Sequence, residues 1–382
     1  MSFVVLKIIV TFAVELKCKR NDMRKGFISL LIIMVALTVI SWRPEVKQDR
    51  TLQVYGVAFY NLENLFDTIH DEGKNDFEYL PDGTNKWGAL KYTNKLKNMA
   101  QVLANLGTEM TMKNGLQKVC KSPAIIGLSE VENRRVLEDL LKEPVLQDKG
   151  WDIIHVEGPD KRGVDCAFLY NPAIFKLEHY HLTNYVYENG DTTRATRGFL
   201  IASGTIAGDK ISFIVNHWPS RAAESEFREM GGRQVRKMID SIFAANPKEK
   251  VVIMGDLNDD PKDKSVTKAL GAKHNKKDCK PGDMFNPWYE TLYKVGQGTL
   301  LYDGKWNLFD QIIISENLLN PEGVNDYSTL KFRKHEIYLR DFLITQEGKT
   351  KGAPKRTWSS GVWLNGYSDH LPTQIFLVKE VR

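Results

Sequence analysis

VVIMGDLND, residues 251–259, decides how the rest of the chain is read. Val251–Met254 is a short apolar run rich in β-branched residues, the composition of a strand buried in a sheet. Gly255 closes it, and Asp256 and Asn258 follow with only Leu257 between them. Polar residues directly beyond a buried strand are turn or cap residues when they stand alone. When several strands carry them, they can converge on one sheet edge, where open-sheet ligand sites lie.

Several strands carry them here. VAFY runs into Asn61-Leu62-Glu63-Asn64, and IIGLS into Glu130, then Glu132 and Asn133. ISFIV runs into Asn216-His217. Leu308-Phe309 precedes Asp310 and the strand QIII, and Tyr367-Ser368 precedes Asp369-His370 and the last strand. Carboxylates and amides in number are hard oxygen donors, suited to Mg2+, Mn2+ or Ca2+ rather than zinc. His217 and His370 lack the spacing of zinc ligands and suit proton transfer or hydrogen bonding to a charged substrate. Carboxylates sharing one pocket repel unless a cation or protons compensate. A divalent ion, carboxylates and histidines together equip a site for phosphate-ester hydrolysis.

Strand-like segments lie at 52–60, 124–129, 151–156, 164–170, 198–206, 211–216, 251–254, 309–315 and 373–378. Helical stripes lie at 91–106, 134–146 and 224–245. Several strands follow one another without a helix, so the pattern is no βαβ repeat. It predicts an α/β chain of two packed sheets flanked by helices. Lys331–Arg356 is polar and basic and reads as a solvated insertion, with only Ile337–Ile344 strand-like. The aromatic run Phe285–Asn307 reads as loop or core packing ahead of a ligand rim.

The 382 residues carry 53 Lys and Arg against 48 Asp and Glu, a formal +5. Six of the basic and two of the acidic residues fall in 1–42, so residues 43–382 stand at +1. That balance gives no strong field for nucleic acid. A 42% hydrophobic content excludes a disordered chain. FISLLIIMVALTVI, residues 27–40, follows Arg24-Lys25 and matches a signal peptide. It is short of the about 20 residues of a spanning helix, although an uncleaved anchor stays open. Met23 is the expected true start, against the alternative that Phe3–Leu16 is a further apolar segment. The expected organisation is a leader over 1–42, a linker over 43–51 and one catalytic domain over 52–382. The expected location is periplasmic or secreted, with the leader touching membrane during export. Cys120, Cys166 and Cys279 remain beyond the leader, an odd number without framework spacing, so this is no disulfide scaffold.

FYNLENLFD (59–67), GLSEVEN (127–133), RGVDCAFLY (162–170), IVNHWPSR (214–221), IMGDLND (253–259), LFDQIIIS (308–315) and YSDHLP (367–372) occur in this order. Together they resemble the endonuclease/exonuclease/phosphatase superfamily, over about Leu52–Lys379. The resemblance implies a four-layer α/β/β/α sandwich of two mixed sheets, with the site at one edge. It implies that Asn61, Glu63, Glu130 and Asp369 lie around Mg2+, or around Mn2+ or Ca2+. His217, Asp256, Asn258, Asp310 and His370 are implied as the catalytic set. In that reading Asp310 orients His370, Asp256 and Asn258 position water, and His217 contacts phosphate or the leaving group. Either Asp256 or His370 is the base. Arg162 and Arg221, with Arg197 and Trp218, are candidate substrate contacts.

The expected activity is phosphodiester hydrolysis, most simply by a nuclease on DNA or RNA, by a monomer with no protein partner. A phosphomonoesterase or lipid phosphodiesterase has the same equipment, since a shared fold cannot choose the substrate. A non-catalytic binding scaffold is disfavoured because the polar set is complete.

Overall fold

A computed structural model describes residues 51–381 other than 189, 192, 193 and 349. The leader, residues 43–50 of the linker and Lys349 lie outside the described residues. The chain from Thr51 onward forms one compact unit.

The strands, in chain order, begin with β1 (Thr51–Leu65), β2 (Glu109–Met112), β3 (Gly115–Lys118), β4 (Pro123–Val131), β5 (Asp152–His155) and β6 (Asp165–Tyr170). Then come β7 (Phe175–Thr183), β8 (Phe199–Ile206), β9 (Asp209–His217), β10 (Lys250–Asp256), β11 (Met284–Phe285) and β12 (Leu300–Tyr302). The last are β13 (Lys305–Asn307), β14 (Asp310–Ser315), β15 (Lys331–Ile337), β16 (Trp358–Ser359), β17 (Val362–Trp363) and β18 (Thr373–Val381). One six-stranded sheet runs β15-β18-β1-β4-β6-β5, and the other β11-β14-β10-β9-β8-β7. Both are mixed: β1 is parallel to β4 and antiparallel to β18, and β10 is parallel to β9 and antiparallel to β14.

Alternation along the strands sorts the chain into layers, because successive side chains point to opposite faces. Val57, Phe59 and Ile125 of the first sheet meet Phe213, Val215, Val252 and Met254 of the second in one buried cluster. Ala58, Tyr60, Ile126 and Leu128 face the other way, onto Met99, Leu103, Val136 and Leu140 of helices Ala89–Leu103 and Arg134–Leu141. Ile214, Val251 and Ile253 likewise cover Val235 and Ile239 of helix Ser225–Ala245. Each such burial of a large aliphatic side chain contributes about 1.5–3 kcal/mol. The order is helix, sheet, sheet, helix, the sandwich expected from the resemblance. At Gly127 the two sheets approach closely. A Cβ there would lie 2.4 Å from the Met254 sulfur and 3.2 Å from Val215.

Two segments differ from the sequence reading. The strand in 331–356 is Lys331–Ile337, earlier than Ile337–Ile344. It pairs with β18 as an edge, packing Phe332 and Ile337 inward, while Lys331, Arg333 and Lys334 line it with charge. Charged edge strands escape a hydrophobicity reading, and they discourage pairing with other chains. β7 is an edge of the second sheet, paired only with β8, and its largely exposed FKLEHYHLT is likewise absent from the strand-like segments of the sequence. In the aromatic run, Trp288 is fully buried between the sheets, as expected of packing.

Candidate active site

Register builds one half of the site. Asp256 ends β10 and is paired with His217 on parallel β9 and with Asp310 on antiparallel β14. Three adjacent strands therefore present histidine, carboxylate and carboxylate side by side, all at most 6% exposed.

Bulges build the other half. In the β4–β6 ladder, Ser129 pairs with Cys166 and Val131 with Asp165, which leaves Glu130 as the extra residue. Its φ is +60°, and Glu63, Asn64 and Asn258 are also left-handed, at +47°, +59° and +50°. Left-handed backbone costs a residue such as Glu about 1–2 kcal/mol, while Asn tolerates it better. Four left-handed residues gather at one edge, the two glutamates carrying the strain, where Glu63 and Glu130 are re-aimed toward a common pocket.

The halves meet at the Asn61 amide, which donates to Glu130 Oε1 at 3.1 Å and to Asp256 Oδ2 at 3.0 Å. Asn64 N–H donates to the second Glu130 oxygen at 2.9 Å, and Asn258 N–H donates to Asp256 Oδ1 at 2.9 Å. His370 Nδ1 is 2.7 Å from Asp310 Oδ2, and its Nε2 lies 3.7 Å from Asp256 Oδ2. The ring thus spans two carboxylates on neighbouring strands. Ser368 ties the turn that carries it to β1, donating to Asn61 O at 2.7 Å and accepting from His370 N–H at 3.1 Å. His217 Nε2 faces the same centre, 3.6 Å from Asp256 and 4.0 Å from Glu130.

Burial alone would pull the His370 imidazolium down, but Asp310 and then Asp256 outweigh it and raise its pKa well above the ordinary value. Burial pushes the Asp256 carboxyl up to about 7. The His370 charge opposes that rise and Asp310 adds to it. His217 goes the other way, well below its ordinary value, through burial and the charges of Arg197, Arg162 and His370. Its buried Nδ1 has no partner, so the proton of the neutral ring belongs on Nε2, facing the carboxylates.

Beside this centre a pocket of about 270 Å³ is lined by Glu63, Glu130, Asp369, Asn64, Trp358 and Arg356, among others. Three carboxylates face one guanidinium there. That hard-oxygen, net-negative lining suits a divalent cation in donor type, with Glu130, Asp369 and Glu63 as the candidate holders. Asn61 sits less directly on it, because its carbonyl oxygen already accepts from Glu63 N–H at 2.9 Å. Glu63 is anchored by the backbone N–H of Thr357 at 2.5 Å and of Trp358 at 3.3 Å. Burial, then the Asp369 charge, push it up to about 7, against the nearby Lys95, the Thr357 N–H and Arg356.

The arginines part company. Arg162 is half-exposed, 3.5 Å from Asp160, with its charge felt at His217. Arg197 is buried behind His217, bonded to Asp160 and to Trp218 O. Arg221 is held by Asp260, Asp263, Asn307 and Asn258 O, which occupies its donors within the protein. Asn258 braces the same loop, donating to Trp218 O at 3.0 Å, and Trp218 itself is packed.

Sequence reasoning passed over Ser368, Arg356 and Lys95. Lys95 lies in the apolar stripe of its helix, 2% exposed, donating to Thr357 Oγ1 and Tyr367 O at 2.6 Å each. A lysine among Leu96 and Met99 was the available signal, since a buried ammonium needs partners. Burial lowers its pKa to about 8.

A family profile described as Endonuclease/Exonuclease/phosphatase matches residues 56–379. No curated protein sequence matches the chain. The structure resembles ANGEL2, a 2',3'-cyclic phosphatase, with TM-score 0.53 and 12% identity over 87% of this chain and 99% of that one. An endonuclease/exonuclease/phosphatase family protein from Bacteroides thetaiotaomicron aligns with TM-score 0.51 and 16% identity, over 87% and 100% of the two chains. Humanised TDP2 of D. rerio gives 0.50 and 16%, over 85% and 98%. With four fifths of its length matched and the sandwich in place, the chain belongs to the endonuclease/exonuclease/phosphatase family and is a hydrolase of phosphoester bonds.

Proposed function

We propose that the protein is a divalent-metal-dependent phosphodiesterase, most simply a nuclease, exported by its leader. The observation that carries the chemistry is the strand register that sets His217, Asp256 and Asp310 side by side, with His370 spanning the two carboxylates.

Glu130 and Asp369, with Glu63, would hold the ion, which when bound would supply Lewis-acid polarisation and positive charge to the phosphate oxygens. Asp256, poised near neutrality and oriented by the Asn258 N–H, is the group able to take a proton from water. His370 is kept charged by Asp310, so it serves as a fixed cation toward the phosphate rather than as the base. His217 offers its Nε2–H from the opposite side as a neutral donor. Asn61 locks Glu130 and Asp256 at a set separation, which couples the two halves.

A phosphomonoesterase or lipid-headgroup reading is favoured by one feature, the pocket of about 270 Å³, a size that suits a small ester. The purified protein, assayed in parallel on DNA, RNA, bis-nitrophenyl phosphate, nitrophenyl phosphate and sphingomyelin, separates these. Activity on diesters that needs Mg2+ or Mn2+ and stops in EDTA is the expected result. Activity that survives EDTA would remove the metal from the mechanism, and activity on monoesters alone or on sphingomyelin alone would select the second reading. N-terminal sequencing of the mature protein tests export, with a start before residue 30 counting against cleavage.

A further inference from the structure

The pocket carboxylates are served by two cations of different character. Lys95 is sealed behind them and pins Thr357, whose N–H anchors Glu63. Arg356 stands in front. Its Nη2 is 2.9 Å from Asp369 Oδ2 and its Nε 3.5 Å from Glu63 Oε1, with the side chain 44% exposed.

We propose that Arg356 is a displaceable counter-cation: it occupies Glu63 and Asp369 until a divalent ion takes them, and then turns to the substrate's phosphate. The inference rests on the metal-dependent reading above. Three observations carry it. The guanidinium hydrogen-bonds to Asp369 and pairs with Glu63, two of the three carboxylates proposed for the ion, so both cations cannot hold those oxygens fully at once. The Arg356 backbone is fixed while its side chain is 44% exposed. Gly366 packs so close that a Cβ there would lie 2.2 Å from Arg356 O, and Tyr367 N–H bonds to Lys355 O. Finally, Glu63 keeps the Thr357 and Trp358 N–H groups when Arg356 leaves, so release does not strand a buried carboxylate. A partly exposed arginine pair is weakly held and exchanges readily, and a guanidinium released beside a bound phosphate finds a matching acceptor.

The test is Mn2+ binding to the full-length, metal-free protein, by electron paramagnetic resonance or calorimetry, without substrate. Arg356→Gln should tighten Mn2+ by about threefold or more, and Arg356→Lys should fall between it and the parent. Lys355→Gln, an exposed neighbour, should leave the affinity unchanged. On the Mn2+-loaded protein, Arg356→Gln should weaken inorganic phosphate binding by about threefold. Unchanged or weaker Mn2+ binding in Arg356→Gln overturns the proposal, as does an equal gain in Lys355→Gln or unaltered phosphate affinity. Failure of the parent protein itself to bind Mn2+ would instead bring down the metal reading, and the proposal with it.

Discussion

His217 at the end of β9 and His370 in the turn before β18 are equally buried, 6% exposed each, and face the same Asp256 carboxylate. Their pKa values are driven in opposite directions, His370 up and His217 down. His370 has Asp310 at hydrogen-bond distance, whereas His217 feels the charges of Arg197 and Arg162 and has no carboxylate closer than 3.6 Å. Burial penalises the charged form of both, so the neighbours decide. The lesson is that protonation here belongs to the second sheet's register and to the placement of Asp310 and Arg197, not to the residue type.

The sharpest way to break that contrast is to remove the carboxylate. Asp310→Ala should lower kcat by at least ~10²-fold, as should His370→Ala or Asp256→Ala. In Asp310→Ala, nitrogen NMR of the rings should show His370 turning neutral near pH 7. Full activity in any of the three would end the assignment.

A smaller effect is expected at the neutral histidine. His217→Gln keeps a donor and should cost roughly tenfold in kcat, about one hydrogen bond. A loss as large as that of His370→Ala would mean that His217 carries the proton instead.

The smallest effects concern stability, and they carry opposite signs. His217 has a lowered folded-state pKa, so below about 6.5 the unfolded chain takes a proton the folded one refuses. Stability then falls as pH drops through that value. His370 has a raised folded-state pKa, so its contribution is complete below about 6.5 and disappears as pH rises through the folded value. Urea unfolding of the EDTA-treated protein should show His217→Gln flattening the acid loss and His370→Gln flattening the alkaline one. The same slope in both variants would refute the contrast.

Much of this was legible beforehand. The core strands announced themselves by β-branched, apolar runs, and the strand-end positions of Asn61, Glu130, His217, Asp256, Asp310 and His370 are visible in the chain. Edge strands β7 and β15 were not, because charge and polarity there serve the sheet's rim rather than its core. The confinement of Arg221 by Asp260 and Asp263 was hidden as well, since an arginine following a strand-end histidine looks the same whether free or paired.

By itself, the order of residues determined which side chains lie at strand ends and that they are hard oxygen donors and imidazoles. Periodicity and composition are local, so a linear reading reaches them. Only the tertiary structure decided the pairing of Asp256 with Asp310, the bulge that turns out Glu130, the burial of Lys95 and the grip of Arg356 on Asp369. Those depend on register and on contacts between segments up to about 300 residues apart, as between Glu63 and Thr357. Charge states follow such contacts, because in a buried site the field comes from whichever groups the fold brings within a few ångströms.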